Sequence, residues 1–276
     1  MRNIKAEWLF LLLSVFFYGG VYAQQYRSAF FRKAHQGTYV IAHRGAHEGI
    51  PENSLAAYQY AIDLGCDFVE IDVRTTKDGH FVSMHNSSVD GYVKGAHGKV
   101  KEMTLQELKS LDIGESVGPK WKGTRIPEFD DILKLCKGKI GIYLDLKDAP
   151  VPELMKIIRK YGMEEDIVWY IPSRYLSKID DPGHVFGKSY LMPDPGSEKN
   201  LDALFDQVSV SVIASDMDNL TPGLVNKAHQ HQVKVFVDDK TATPDEWEQM
   251  IKTGVDGIQT DRPEELISFL KGKTGR

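Results

Sequence analysis

From Tyr39 to the end of the chain, short apolar runs rich in β-branched residues alternate with helix-length amphipathic segments. Strands separated by helices pair in parallel, because a parallel neighbour is reached only through a crossover of about a dozen residues or more. The spacing predicts strands at Tyr39–His43, Phe68–Val73, Phe81–His85, Ile140–Leu146, Ile167–Ile171, Ser189–Met192, Val210–Ala214, Val233–Asp238 and Gly257–Thr260. Helices are predicted at Ser54–Leu64, with Ser54 as N-cap, and at Leu105–Leu111, Pro127–Cys136, Pro152–Tyr161, Pro222–His231, Pro244–Thr253 and Pro263–Leu270. Several open on proline, whose fixed φ suits the first helical position.

Nine strands is one more than a (β/α)₈ barrel needs. Phe68–Val73 and Phe81–His85 are separated only by a short segment containing Asp78-Gly79, a hairpin turn signal. Phe81–His85 is therefore read as an antiparallel arm above the barrel mouth, followed by a small insertion at the C-terminal face. Counting outward from Asp78-Gly79 sets His85 opposite Asp72. The other eight strands make a TIM barrel.

Residues 1–23 are set apart. Arg2 and Lys5 precede an apolar run from Trp8 to Phe17, and Val21-Tyr22-Ala23 resembles a cleavage site. That is a secretory signal pattern. A retained anchor is the competing reading, but the apolar core is short against the roughly 20 residues of a membrane span. The expectation is export to a periplasmic or extracellular location, with no stable membrane insertion after cleavage. Removing 23 of 276 residues leaves 253, the size of one TIM barrel, as a single domain over 24–276. The leader carries Arg2, Lys5 and Glu7, a net +1, so the charge goes from −5 to −6. A mildly acidic chain is a poor nucleic-acid binder. Cys66 and Cys136 fit no zinc spacing; buried free thiols are favoured over a disulfide, with pairing left open.

Active sites of such barrels lie at the C-terminal strand ends. Strand one ends in His43-Arg44-Gly45. Glu70 and Asp72 are two apart, on one face of the second strand. Asp145 and Lys147 share a face of the next barrel strand. Carboxylates inside an apolar strand are costly unless paired or metal-bound. An oxygen-only set favours a hard ion, Ca²⁺ or Mg²⁺. Taken singly, each has a structural reading: a satisfied strand-end histidine, or ion pairs among Glu70, Asp72, Arg44, Asp145 and Lys147. Their convergence on one rim with His85 favours function. His47, His80 and His97 fall in predicted loops and are expected to be exposed; His229 and His231 close a helix.

The ordered set of HRG at His43–Gly45, PENS at Pro51–Ser54, EIDV at Glu70–Val73, TKDG at Thr76–Gly79, Met84-His85, DLK at Asp145–Lys147 and DGIQTDRP at Asp256–Pro263 resembles the glycerophosphodiester phosphodiesterases. The resemblance implies a TIM barrel that hydrolyses small glycerophosphodiesters to an alcohol and glycerol phosphate. It implies His43 and His85 as the acid/base pair, with a slight preference for His43 as base. Glu70, Asp72 and Asp145 are implied as ligands of one divalent cation, Arg44 and Lys147 as phosphate binders, and Glu52 and Asn53 as site support, with a direct ligand role for Glu52 left open. Four departures bear on the ion and the substrate more than on the reaction type: Asp145 where the family usually has Glu, which could shift the ion or its preference, Asn86 after the second histidine, the stretch from Asn86 to Tyr92 without the usual arginine-containing continuation, and Phe236–Asp239 where an aromatic WTVN-like strand is common. The alternatives are phospholipase-type cleavage of intact lipids and a non-catalytic phosphodiester-binding barrel. The segment from Tyr92 to Arg125 shows no membrane wedge, which favours water-soluble diesters. The oligomeric state is left open.

Overall fold

Along the strand Phe68–Thr75, Val69, Ile71 and Val73 pack outward among the helices, whereas Phe68, Glu70 and Asp72 face the barrel axis. This division recurs around a single sheet. The structure, a computed structural model, describes residues 34–35, 37–176, 179 and 182–273, so the leader expected at 1–23 lies outside the described residues. The strands are β1 (Tyr39–Ala42), β2 (Phe68–Thr75), β3 (Phe81–Ser83), β4 (Gly141–Leu146), β5 (Ile167–Pro172), β6 (Tyr190–Asp194), β7 (Val212–Asp216), β8 (Lys234–Asp238) and β9 (Gly257–Thr260). Eight run parallel in the order β6-β5-β4-β2-β1-β9-β8-β7, and β3 hangs antiparallel from β2. β6 and β7, the two ends of that order, lie side by side, so the sheet is a nearly closed (β/α)₈ barrel.

Inside, an apolar floor carries the site. The rings of Tyr39, Phe68 and Phe236 meet with centroids 5.6–5.9 Å apart. With Ile41, Val168 and Met192 they fill the barrel below the carboxylates.

Local chemistry sets the helix starts. The Ser54 hydroxyl accepts the Ala57 N–H and caps Leu55–Leu64. Thr221 and Thr243 do the same for Pro222–Gln230 and Pro244–Thr253, each with proline at the first position. Pro127 departs from this rule: its carbonyl accepts from Ser83, and Glu128 bridges Val82, so both residues border the β3 arm. The helix there is Phe129–Cys136. Three further helices, Ser173–Leu176, Pro182–Phe186 and Leu201–Gln207, escaped sequence reading, because spans of four to seven residues are too short to display a 3.6-residue period.

The hairpin register is one residue off the sequence expectation. Thr75 pairs Phe81 and Val73 pairs Ser83, and Met84 donates to the Asp72 carbonyl. The turn centres on Asp78 itself: Thr76 N–H donates to His80, and Gly79 takes φ +84° at the end of a three-residue loop. Met84, not His85, therefore stands opposite Asp72. The insertion after β3 has its own small core of Val82, Met84, Val89, Val100, Leu108, Ile113 and Ile126. Trp121 ties it to the barrel by donating to the Gly49 carbonyl at 2.6 Å. Cys66 and Cys136 are both free and buried, and burial pushes each thiol up to about 12.

Candidate active site

The loop after β1 must turn sharply to aim its side chains. Arg44 and Gly45 both take positive φ, 53° and 86°. Gly45 is required on two counts, because a Cβ there would lie 2.7 Å from the Ala57 Cβ and 2.8 Å from its backbone carbon. The turn points the Arg44 N–H at Glu70 Oε2, 2.8 Å away. The guanidinium meets Glu52 at 3.1 Å, and Tyr92 donates to the same carboxylate. Arg44 Nε is buried, 3.7 Å from Asp72 Oδ2, and makes no hydrogen bond.

Asn53, also at positive φ, is the pivot beneath the acids. Its amide donates to Asp72 Oδ2 at 2.8 Å, while its carbonyl accepts from Tyr58 and Ser83. This locks one Asp72 oxygen. The other lies 3.0 Å from Lys147 Nζ, which also holds Asp145 Oδ2 at 2.6 Å.

Glu70, Asp72 and Asp145 each present an oxygen within 4.8 Å of the others. Ligands on opposite sides of a Ca²⁺-sized ion stand about 4.6–5.2 Å apart, so this set fits one hard cation. Despite its shorter side chain, Asp145 reaches the group. The electrostatics agree: burial, then Asp72 and Asp145, push the Glu70 carboxyl well above the usual carboxylate range. Burial also raises Asp145, against the opposing pull of Lys147.

His43 Nδ1 is 2.7 Å from Asp261 Oδ1, which leaves Nε2 for the cavity. Burial disfavours its imidazolium, but the Asp261 hydrogen bond with the charges of Glu70 and Asp238 outweighs that cost and pushes the pKa up to about 9. Asp261 is held low in turn, chiefly by the same bond. His85, two residues beyond β3, has Nδ1 3.1 Å from Asn86 Oδ1. A cavity of about 270 Å³ is lined by His43, Arg44, Glu70, His85, Asp145 and Lys147. Asp72 lies beneath it, in contact with Lys147. The seven rim residues singled out in the sequence are thus brought together, with Glu52 and Asn53 directly behind them.

Sequence reading missed the opposite wall. Asp194, Asp216 and Asp238 each end a strand and line the same cavity, as do Tyr143, Tyr170 and Gln259. Three consecutive strands ending in Asp, each on an inward-facing position, was the available signal. His47 was expected to be exposed but is not: Nδ1 lies 2.9 Å from the His43 carbonyl and Nε2 3.6 Å from Asp261. His80, His97 and His229 pair with Glu128, Asp90 and Asp256 away from the cavity.

Comparison with known proteins then identifies the chain. The model of the glycerophosphoryl diester phosphodiesterase family matches residues 43–190 and 184–265. The chain belongs to this family of phosphoric diester hydrolases. A glycerophosphodiester phosphodiesterase of Caldanaerobacter subterraneus subsp. tengcongensis is 35% identical over 244 residues, covering 85% of this chain and 98% of the relative. An Oleispira antarctica phosphodiesterase, solved in complex with the product sn-glycerol-3-phosphate, superposes with a TM-score of 0.77 at 20% identity, over 89% of this chain and all of that one. A glycerophosphodiester phosphodiesterase from Agrobacterium tumefaciens gives 0.72 at 24% identity, over 83% and 99%. The likeness to the two solved structures establishes the shared barrel; family membership rests on the family model and the relative from Caldanaerobacter.

Proposed function

We propose that this member of the family hydrolyses water-soluble glycerophosphodiesters to an alcohol and glycerol phosphate, with His43 and His85 as the acid/base pair and one divalent cation, Ca²⁺ or Mg²⁺, on Glu70, Asp72 and Asp145. One observation carries the reading: both imidazoles line the same cavity as Glu70, Asp145, Arg44 and Lys147, and Asp72 completes the three-carboxylate group just beneath it. Bound there, the cation would neutralise charge on the nonbridging phosphate oxygens. Arg44 and Lys147, both on the cavity lining, add two fixed positive charges.

The Asp261 hydrogen bond fixes His43 Nδ1, leaves Nε2 facing the cavity and favours the charged ring in the metal-free chain, which supports His43 as the acid that protonates the leaving alkoxide. That reverses the slight preference drawn from sequence. His85 then takes the proton of the attacking hydroxyl, the one next to the phosphoester on glycerol. The cyclic phosphate that forms is opened by water, with the two histidines exchanging roles.

Intact lipids are the poorer substrate. Among the described residues Leu55, Val117 and Tyr175 are the exposed large hydrophobics, and none of the described helices is long and apolar enough to cross a membrane. Val117 alone is too little apolar surface for a membrane-inserting rim. Export after loss of residues 1–23 belongs to the same proposal, and N-terminal sequencing of protein recovered outside the cytoplasm tests it.

Phosphorus NMR of the reaction tests the activity. Glycerol phosphate should accumulate, chelation should stop it, and Ca²⁺ or Mg²⁺ should restore it. Full turnover by metal-stripped protein would remove the cation from the reaction.

A further inference from the structure

His47 does not line the cavity, yet its side chain, 20% exposed, folds back against the turn that aims His43 and Arg44. Its Nδ1 lies 2.9 Å from the His43 carbonyl and 3.1 Å from the Gly45 carbonyl. Carbonyls only accept, so Nδ1 carries a proton in either charge state of the ring and donates to both. No backbone N–H among the described residues donates to either carbonyl. At the far edge of the same ring, Nε2 stands 3.6 Å from Asp261 Oδ1, the oxygen that accepts from His43 Nδ1 at 2.7 Å. That is too long for a hydrogen bond, but it leaves the carboxylate little room on that side. His47 thus touches both the backbone of His43 and the carboxylate that orients its ring. Arg44, which also acts on Asp261 through its charge, is held without His47. Its N–H meets Glu70, its carbonyl accepts from Asn53, and its guanidinium rests on Glu52. The influence of His47 therefore falls on His43.

We propose that His47 is a positioning residue for the acid step: by clamping the His43 and Gly45 carbonyls and backing Asp261, it keeps His43 Nε2 aimed at the leaving oxygen. The inference rests on the phosphodiesterase reading with His43 as acid. In that step the Nε2 proton passes to the leaving oxygen as the P–O bond breaks, and a ring turned aside forfeits the transfer. Glu48 and Arg262, 3.5 Å apart, tie the same two loops through a pair that includes neither His43 nor Asp261. That pair supplies a control.

The test varies the leaving group on the Ca²⁺-loaded protein at neutral pH. The ethyl ester of glycerol phosphate needs a proton as ethoxide departs, whereas the 4-nitrophenyl ester releases a nitrophenolate that leaves without one. Single-turnover release, with enzyme in excess, reads this first step alone. His47→Ala should release ethanol at least about tenfold more slowly than the parent, and nitrophenolate within about threefold of it. His47→Asn, whose amide donates from the place of Nδ1, should bring ethanol release back to within about threefold. Glu48→Gln should match the parent on both esters. Both are run on the same preparation, so misfolded protein cancels from the ratio. Ethanol release within about threefold of the parent in His47→Ala, an equal loss on both esters, or no recovery in His47→Asn would each overturn the proposal. So would a loss in Glu48→Gln as selective as that in His47→Ala. A second readout needs no turnover. In crystals of His47→Ala the His43 ring should turn from Asp261, with Nδ1 beyond about 3.5 Å of Oδ1. A ring still bonded to Asp261 as in the parent would overturn the positioning whatever the rates. No release from either ester by the parent, with the ring displaced in the variant, would instead defeat the activity reading and leave the positioning standing.

Discussion

At the scale of single residues, the site depends on pairings that fix protons and orientation. His43 and Asp261 are 218 positions apart in the chain, yet they share a 2.7 Å hydrogen bond. Asp261→Asn removes the negative charge and weakens that bond, so the His43 pKa should fall from about 9 toward its ordinary 6.5. Proton NMR titration of the metal-free protein checks this, and an unmoved His43 titration would contradict it. The sign for stability follows from linkage. A folded-state pKa raised above the unfolded one contributes stability that is full below 6.5 and disappears as pH rises through about 9. His43 and Arg44 were legible as the end of the first strand, and Glu70 with Asp72 and Asp145 with Lys147 by the two-residue spacing that puts each pair on one face. Asp261 was not, although it lies in a quoted motif. Its role exists only because β9 closes beside β1, a neighbour relation that no local spacing encodes.

At the scale of elements, the strand-end loop of β1 is the part least tolerant of change. Gly45→Ala adds a Cβ against the Ala57 backbone at a positive φ, which together should cost about 2–4 kcal/mol. For a domain of this size that is a fall in unfolding temperature of roughly 5–15 °C. Thermal unfolding measures it, and an unchanged midpoint would show that the loop can relax without strain. Activity should fall with it, since the same turn aims Arg44 at Glu70. The β2–β3 arm shows the limit of pattern reading at this scale. Its existence was clear from Asp78-Gly79, but the register depended on a three-residue loop rather than a two-residue one, a choice made by the Thr76–His80 pairing. His85 reaches the cavity all the same, because it lies beyond the paired part of the arm. Pro127 was misread as a helix start because its carbonyl is recruited by β3, a tertiary contact that outranks local preference.

At the scale of the whole molecule, the barrel separates support from chemistry. An aromatic floor of Tyr39, Phe68 and Phe236 fills the lower interior, and titratable groups occupy the layer above, where water and substrate can enter. Binary patterning made the eight-stranded closure readable from sequence, and the extra hairpin explained the ninth strand. The acidic wall of β6, β7 and β8 stayed unread because each Asp alone looks like an ordinary strand-end residue. Only closure puts them across a cavity from Arg44 and Lys147. The proposed hydrolysis depends on two histidines working across that one cavity. Steady-state turnover of a glycerophosphodiester by folded, metal-loaded His43→Ala and His85→Ala tests it most directly. Each variant should lose at least roughly 100-fold in kcat; a rate within about threefold of the parent for either one would contradict it.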